Sequence, residues 1–231
     1  MNEKNIALIG YKGFVGSAIA RKFKTRDIEF VGVDRSNFEK ISEREFGIII
    51  NSAMPSKRFW AKNNPLDDFQ STVMLTAKLF YNWNYDKLVQ ISSVSARCQL
   101  NHVYGKNKKC AEELVLTEQN NLIIRLGAMY GAGLDKGALF DIINDKMVYV
   151  SEKSKYNFID VDAAADLIID NIEYSGIKEI GAKDEISLKE IAKKFNKKGS
   201  FSGEIEYQNT IDPEPNYPSS SEVLSYLENN I

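Results

Sequence analysis

Ser93, Tyr104 and Lys108 are the side chains whose types and spacing suit proton transfer to and from a carbon-bound oxygen. Tyr104 and Lys108 stand four residues apart at the opening of a helical pattern, so they share one face of it. An ammonium beside a phenol stabilises the phenolate and draws the tyrosine's pKa towards working pH. A serine hydroxyl ending the strand pattern Leu88-Val89-Gln90-Ile91-Ser92-Ser93 can then hold the substrate oxygen while the phenol gives or takes its proton. The Tyr-x-x-x-Lys spacing alone carries little weight. The chain contains it three times, at Tyr104/Lys108, Tyr149/Lys153 and Tyr174/Lys178. Only the first pair opens a good helix and follows a serine-ended strand, and the other two read as chance.

The amino-terminal residues read as a cofactor seat. An apolar strand, Ile6-Ala7-Leu8-Ile9, runs into Gly10-Tyr11-Lys12-Gly13-Phe14-Val15-Gly16 and a helix. A helix N-terminus carries unpaired N–H groups and a partial positive charge, which stabilise a pyrophosphate placed there. Glycines are needed because a side chain would block the phosphates or push the helix off the strand. Asp34 lies 18 residues past Gly16, at the end of the apolar run Phe30-Val31-Gly32-Val33, where a carboxylate accepts both ribose hydroxyls. Strand, glycines, helix and acid in register predict dinucleotide binding by Gly10, Lys12, Gly13, Phe14, Val15, Gly16, Asp34 and Arg35. Asp34 repels a 2′-phosphate and favours NAD. Lys12 and Arg35 are cations able to accept that phosphate, so NADP stands as the alternative.

Positioning these groups takes alternating strands and helices. Strands are expected at 5–9, 28–33, 47–52, 87–92 and 121–126, each short, continuous and rich in Ile and Val. Amphipathic helices are expected at 14–24, 64–83 and 104–118, the second with Asn64 as N-cap and Pro65 behind it. The pattern predicts an α/β fold, a doubly wound parallel sheet with right-handed crossovers. The gap from Asp34 to residue 47 has room for one short helix only, so the sheet is expected one strand short. Beyond 131 we expect a helix at 136–145, strands at 147–150 and 156–160, and helices at 161–174 and 187–196. A loop at 199–220 and a helix at 220–229 complete the pattern. Residues 1–131 read as a dinucleotide-binding domain and 132–231 as a short C-terminal substrate lobe interleaved with the main sheet. Lys57, Arg58 and Trp60 read as a charged loop, Asp160 and Asp162 as a turn and helix cap, and Lys193–Lys198 as a solvated helix end.

The bulk numbers narrow the function classes. Apolar residues at 43% and charged residues at 27% suit a soluble globular protein. A formal charge of −2 has no basic excess for nucleic-acid phosphates. No apolar run approaches the roughly 20 residues that span a bilayer. Met1-Asn2-Glu3-Lys4 leads straight into a strand, which leaves no signal peptide. Cys98 and Cys110 read as reduced cytoplasmic thiols, and with lone His102 they offer no metal-ligand spacing.

Together these residues resemble the short-chain dehydrogenase/reductase superfamily, in particular its extended branch of NAD-dependent epimerases and dehydratases. Gly10 to Gly16 matches that branch's Gly-x-x-Gly-x-x-Gly form, and Gly10 to Ile19 is similar to keto-sugar reductases such as GDP-fucose synthase, which use NADP. Tyr104-Gly105-Lys106-Asn107-Lys108 with Ala111-Glu112 resembles its Tyr-Gly-x-Ser-Lys…Ala-Glu helix. Arg125, Tyr130-Gly131, Phe158 to Asp162 and Ile186 to Ile191 resemble its later segments. The resemblance implies a Rossmann-type sheet and an oxidoreductase or epimerase acting on a secondary alcohol or ketone, with a nucleotide-diphosphate sugar as the substrate class. It implies Tyr104 as general acid/base, with Ser93 orienting the substrate oxygen and Ser92 and Ser95 as weaker candidates. Lys108 would tune Tyr104 and bind the nicotinamide ribose, Ser52 and Ala53 would let the cofactor pass, and two copies would form a homodimer. Departures are Thr72 in place of the branch's helix asparagine, 11 residues from Ser93 to Tyr104 where a longer loop is usual, Ala132 in place of a proline, and a short substrate lobe. A non-catalytic cofactor-binding sensor and a dehydrogenase of a non-sugar molecule are the alternatives.

Overall fold

The computed structural model describes residues 5–197 and 200–230. The run of Met1–Lys4 into the first strand, the end of the lysine run at Lys198, the start of the following loop at Gly199, and Ile231 lie outside them.

β-branched runs suit a pleated surface buried on both sides, and they become strands here. β1 (Ile6–Ile9) is buried along its whole length. It is followed by α1 (Phe14–Thr25), β2 (Val31–Val33), α2 (Phe38–Ile41) and β3 (Glu45–Asn51). Next come α3 (Arg58–Asn63), α4 (Pro65–Phe69), a π-helical turn (Gln70–Met74), α5 (Leu75–Asn82) and β4 (Asn84–Ser93). α6 (Ser95–Cys98), α7 (Val103–Val115) and β5 (Leu122–Leu126) complete the expected alternation. Later elements are β6 (Met129–Tyr130), α8 (Ala138–Ile143), β7 (Lys155–Tyr156), β8 (Ile159–Asp160), α9 (Val161–Asp170) and β9 (Gly176–Ile180). The last are β10 (Ile186–Ser187), α10 (Leu188–Lys194), β11 (Tyr207–Gln208) and α11 (Glu222–Asn230).

Six strands form one sheet in the order β2-β1-β3-β4-β5-β9, a Rossmann-type doubly wound α/β arrangement. The pairings β2–β1, β1–β3 and β3–β4 are parallel. From β2 the chain returns through α2 alone to the far side of β1. The strand order therefore reverses between β1 and β3, and a crevice at such a point receives ligands in sheets of this type. Parallel strands align their carboxyl ends, so Gly10, Ser52 and Ser93 emerge at one edge of the sheet. The sixth strand, β9, comes from residues outside the expected alternation.

The chain divides into two compact units, Met1–Arg125 with Ala165–Lys178, and Leu126–Ala164 with Glu179–Ile231. In the first, Ala7, Ile9, Ile49, Leu88 and Ile123 pack with Leu79, Trp83 and Val115 on one face of the sheet. Ile6 and Leu8 point to the opposite face and are equally buried. Arg26 pairs with Asp166 at 2.6 Å and Asp170 at 2.5 Å, tying α1 to α9.

In the second unit, Leu139, Ile142, Tyr156, Phe158, Leu188, Ile191, Val223 and Leu227 form the core. The strand expected at 147–150 reduces to a bridge between Val148 and Phe201, and the one at 156–160 splits into β7 and β8. The loop expected at 199–220 contains β11, which pairs with β7. Asp160 accepts from the Asp162 and Ala163 N–H groups at 2.8 and 3.2 Å, capping α9.

Candidate active site

The turn after β1 has no room for side chains at two positions. Gly10 has φ +76°, and a Cβ there would lie 2.8 Å from Ala53 Cα. A Cβ on Gly16 would strike the Gly10 carbonyl oxygen and come within 2.7 Å of Ser52 Oγ. The Gly10 carbonyl accepts from the Gly13 N–H at 2.9 Å, and the Ser52 hydroxyl donates to the Ile9 carbonyl at 2.6 Å. Ser52 and Ala53 thus pack against the glycine turn itself. α1 begins after Gly13 with no side-chain cap and no acid in its first turn. The N–H groups of Phe14, Val15 and Gly16 are left to face an anion.

Asp34 follows β2. Its carboxylate meets Lys12 Nζ at 2.5 Å and accepts from the Ser36 N–H at 2.9 Å and hydroxyl at 2.5 Å. Lys12 first, then Ser36, holds the Asp34 carboxyl well below the usual carboxylate range, and the same bond raises Lys12. The acid and one of its two neighbouring cations are therefore an ion pair, while Arg35 is exposed.

Tyr104 and Lys108 lie on α7, 6% and 3% exposed. Lys108 Nζ stands 5.2 Å from the centre of the Tyr104 ring. Ser93, the last residue of β4, lies close enough to the phenol to lower its pKa, while its hydroxyl donates to Ser95 Oγ and accepts from the Ser95 N–H, each at 3.3 Å. The three sequence-predicted groups are therefore neighbours. Burial pushes Tyr104 up to about 12; Ser93 and Arg58 oppose this, and Asp68 adds to it. Burial lowers Lys108 to about 7, against the pull of Asp68 and Glu112. This corrects the expectation that the lysine draws the phenol down. Both groups are desolvated together, and desolvation outweighs their neighbours. At neutral pH the phenol keeps its proton and is a donor.

Alternation along β4 turns Ser92 to the other face. Its hydroxyl donates to Glu112 Oε1 at 2.6 Å, and Glu112 also receives Arg125 Nε at 3.0 Å and Nη2 at 2.6 Å. Ser95 donates to Gln99 Oε1 at 2.8 Å. Both weaker candidates are thus committed to structural bonds.

Lys57, Arg58 and Trp60 belong to the start of α3 and its N-cap position rather than to a loop. Asn64 holds the N-cap position of α4 ahead of Pro65, but its amide donates to the Trp60 carbonyl at 3.0 Å and caps nothing. The helix expected at 64–83 is interrupted by the π-helical turn, which carries Thr72. Asp68 and Thr72 are fully buried. Asp68 Oδ2 accepts from Asn107 Nδ2 at 2.7 Å, while Asp68 Oδ1 and Thr72 Oγ1 have no partner among the described residues. Asp68 and Asn107 escaped the sequence reading; the available signal was an acid one turn before Thr72 in a helix with a buried face. Tyr149 and Tyr174, the repeats of the tyrosine–lysine spacing, are 77% and 59% exposed. Among the described residues no group of three or more His, Cys, Asp or Glu side chains could hold a metal ion.

Residues 6–175 match the model of the NAD dependent epimerase/dehydratase family. No curated protein matches the chain. Among solved structures, a UDP-glucose 4-epimerase from Thermotoga maritima with UDP-glucose has TM-score 0.76 at 12% identity, covering 98% of this chain and 99% of that one. A dTDP-4-dehydrorhamnose reductase from Clostridium acetobutylicum has TM-score 0.78 at 14% identity, covering 98% and 99%. A UDP-glucuronic acid 4-epimerase from Bacillus cereus in complex with UDP-glucuronic acid and NAD has TM-score 0.70 at 17% identity, covering 96% and 93%. At these identities the likeness is one of fold.

Proposed function

The chain belongs to the NAD dependent epimerase/dehydratase family, and we propose from that premise that it is an NAD(P)-dependent oxidoreductase or epimerase of a secondary alcohol or ketone. The substrate class we assign is a nucleotide-diphosphate sugar, as in the 4-epimerases and the 4-keto reductase whose fold it shares. The observation that carries the reading is the closeness of Ser93 and Lys108 to Tyr104, at the sheet edge where the glycine turn also emerges.

The residues present fit a dinucleotide. Gly10 and Gly16 have no space for a Cβ, and the uncapped N-terminus of α1 presents N–H groups without a nearby acid. Gly10, Gly13, Phe14, Val15 and Gly16 would hold the pyrophosphate. Asp34, with Lys12 and Arg35, would take the adenosine ribose. Ser52 and Ala53 would line its path and Lys108 would bind the nicotinamide ribose. Bound there, NAD supplies the hydride acceptor or donor. Asp34 favours NAD, and the Lys12 cation on that carboxylate is what supports NADP as the alternative.

Tyr104 would give its proton to the substrate oxygen when the ketone is reduced and take it back when the alcohol is oxidised, and Ser93 would orient that oxygen. Residues 1–131 serve the cofactor, and the short lobe at 132–231 serves the substrate. We also assign the protein to the cytoplasm as a homodimer, a reading supported by the family resemblance. Among the described residues no helix is long and apolar enough to cross a membrane.

The test is turnover of UDP-, dTDP- and GDP-sugars with NAD(H) or NADP(H), read by product NMR. Tyr104→Phe is expected to lower kcat by about 10²–10⁴-fold with cofactor binding retained. Unchanged turnover in that variant removes Tyr104 from the chemistry.

A further inference from the structure

Gln90 stands inside β4, between Val89 and Ile91, and is fully buried. An amide buried in an apolar strand is costly unless its oxygen and its nitrogen both find partners. Gln90 pairs in register with Asn51, the last residue of β3, which is also fully buried. Asn51 Nδ2 donates to Gln90 Oε1 at 3.0 Å, and Asn51 Oδ1 accepts from the Ala53 N–H at 3.2 Å. Gln90 Nε2 in turn donates to Met54 Sδ at 3.0 Å. One backbone donor sets the sense of all three bonds. The Ala53 N–H can only donate, so Asn51 turns its oxygen to it and its nitrogen to Gln90. Gln90 must then give its oxygen to Asn51 and its nitrogen to Met54. The Thr76 hydroxyl, 4.0 Å from the same sulfur, donates to the Thr72 carbonyl at 2.7 Å.

These bonds begin and end on the segment that follows β3. The Ser52 N–H still donates to the Ile9 carbonyl of the neighbouring strand at 3.0 Å. Beyond it, the Ala53 N–H and the Met54 sulfur are held by the side chains of Asn51 and Gln90. Ala53 is also the residue on which the glycine turn packs, since a Cβ on Gly10 would lie 2.8 Å from its Cα. We propose that Gln90 is a positioning residue for the cofactor: through Asn51 and Met54 it fixes Ala53 and Met54 as a wall beside the glycine turn. The proposal rests on the reading of that turn as a dinucleotide seat. A leucine in place of Gln90 would leave Asn51 Nδ2 buried without its acceptor and free Asn51 to turn away from Ala53.

Gln90→Leu tests this, read first by amide hydrogen exchange without cofactor. A general loss of stability speeds core amides by one common factor, whereas a lost hold on Ala53 speeds that amide beyond its neighbour. The Ala53 N–H is expected to lose about tenfold more protection than the Ser52 N–H. NAD affinity, read by calorimetric titration, should fall about tenfold. Met54→Leu keeps the volume and removes the sulfur, and should loosen Ala53 in the same direction by about threefold. With both changes together the loss at Ala53 should match that of Gln90→Leu alone, because the two residues act through one set of bonds. Equal loss at Ala53 and Ser52 overturns the proposal, and so does full additivity of the two changes. A loosened Ala53 with NAD affinity equal to wild type overturns it as well. If Gln90→Leu does not fold, Met54→Leu decides by the same comparison of Ala53 with Ser52. A wild type that binds neither NAD nor NADP removes the dinucleotide reading, a failure told apart from this one because the Ala53 exchange needs no cofactor.

Discussion

Lys108 and Tyr104 are displaced by burial in opposite directions, and each displacement has a signature in stability. The Lys108 pKa falls from the usual 10.5 to about 7 on folding. Between those values the unfolded chain holds a proton that the folded chain lacks, so stability rises with pH across that window. Lys108→Met should flatten the rise between pH 7 and 10 in urea denaturation, and a slope identical to wild type would mean Lys108 is not desolvated. The sequence disclosed which residues meet, because helical and strand periods fix which side chains share a face. It did not disclose the sign of the phenol's shift. That sign comes from α3 and α4 packing over α7, and burial is a property of the assembled helices.

Elements around the site differ in how legibly the sequence encodes them. The strands and α1 and α7 follow from period and composition. α3 and α6 are six and four residues long, too short to display a helical period. The π-helical turn packs on α7, buries Thr72 and Val73, and leaves no compositional trace. α1 docks on β1 through glycines, so Gly16→Ala should force the helix off the Gly10 carbonyl. We expect a loss of about 1–3 kcal/mol in stability and of about tenfold or more in NAD affinity, read by calorimetric titration. The Glu112–Arg125 pair joins α7 to β5 with 0% and 9% side-chain exposure. Arg125→Met strands a buried carboxylate and should cost about 3–5 kcal/mol in urea unfolding. Adding Glu112→Leu should recover most of that loss; no recovery would mean that the guanidinium serves by packing alone.

At the scale of the molecule, the sequence conveyed a doubly wound parallel sheet and where its ligand edge lies. It hid β9, whose residues are exposed or half-buried up to the buried Ile180 and show neither alternation nor a continuous apolar run. Binding of the cofactor to the folded chain should stabilise it by about 2.7 kcal/mol at a hundred times Kd. For a chain of this length that raises Tm on the order of 5–10 °C. NADP raising Tm more than NAD at equal concentration would reverse the cofactor preference, and no shift with either would exclude a dinucleotide site.

The first unit takes α9 residues and most of β9 from beyond the segment that begins the second. During synthesis, β5 therefore waits with a bare hydrogen-bonding margin until Gly176 has left the ribosome, and the salt links from Arg26 to Asp166 and Asp170 wait with it. A gene cut at the apparent end of the nucleotide-binding half would leave that margin bare for good and should yield aggregates. A soluble excised half needs the later segment grafted directly behind β5.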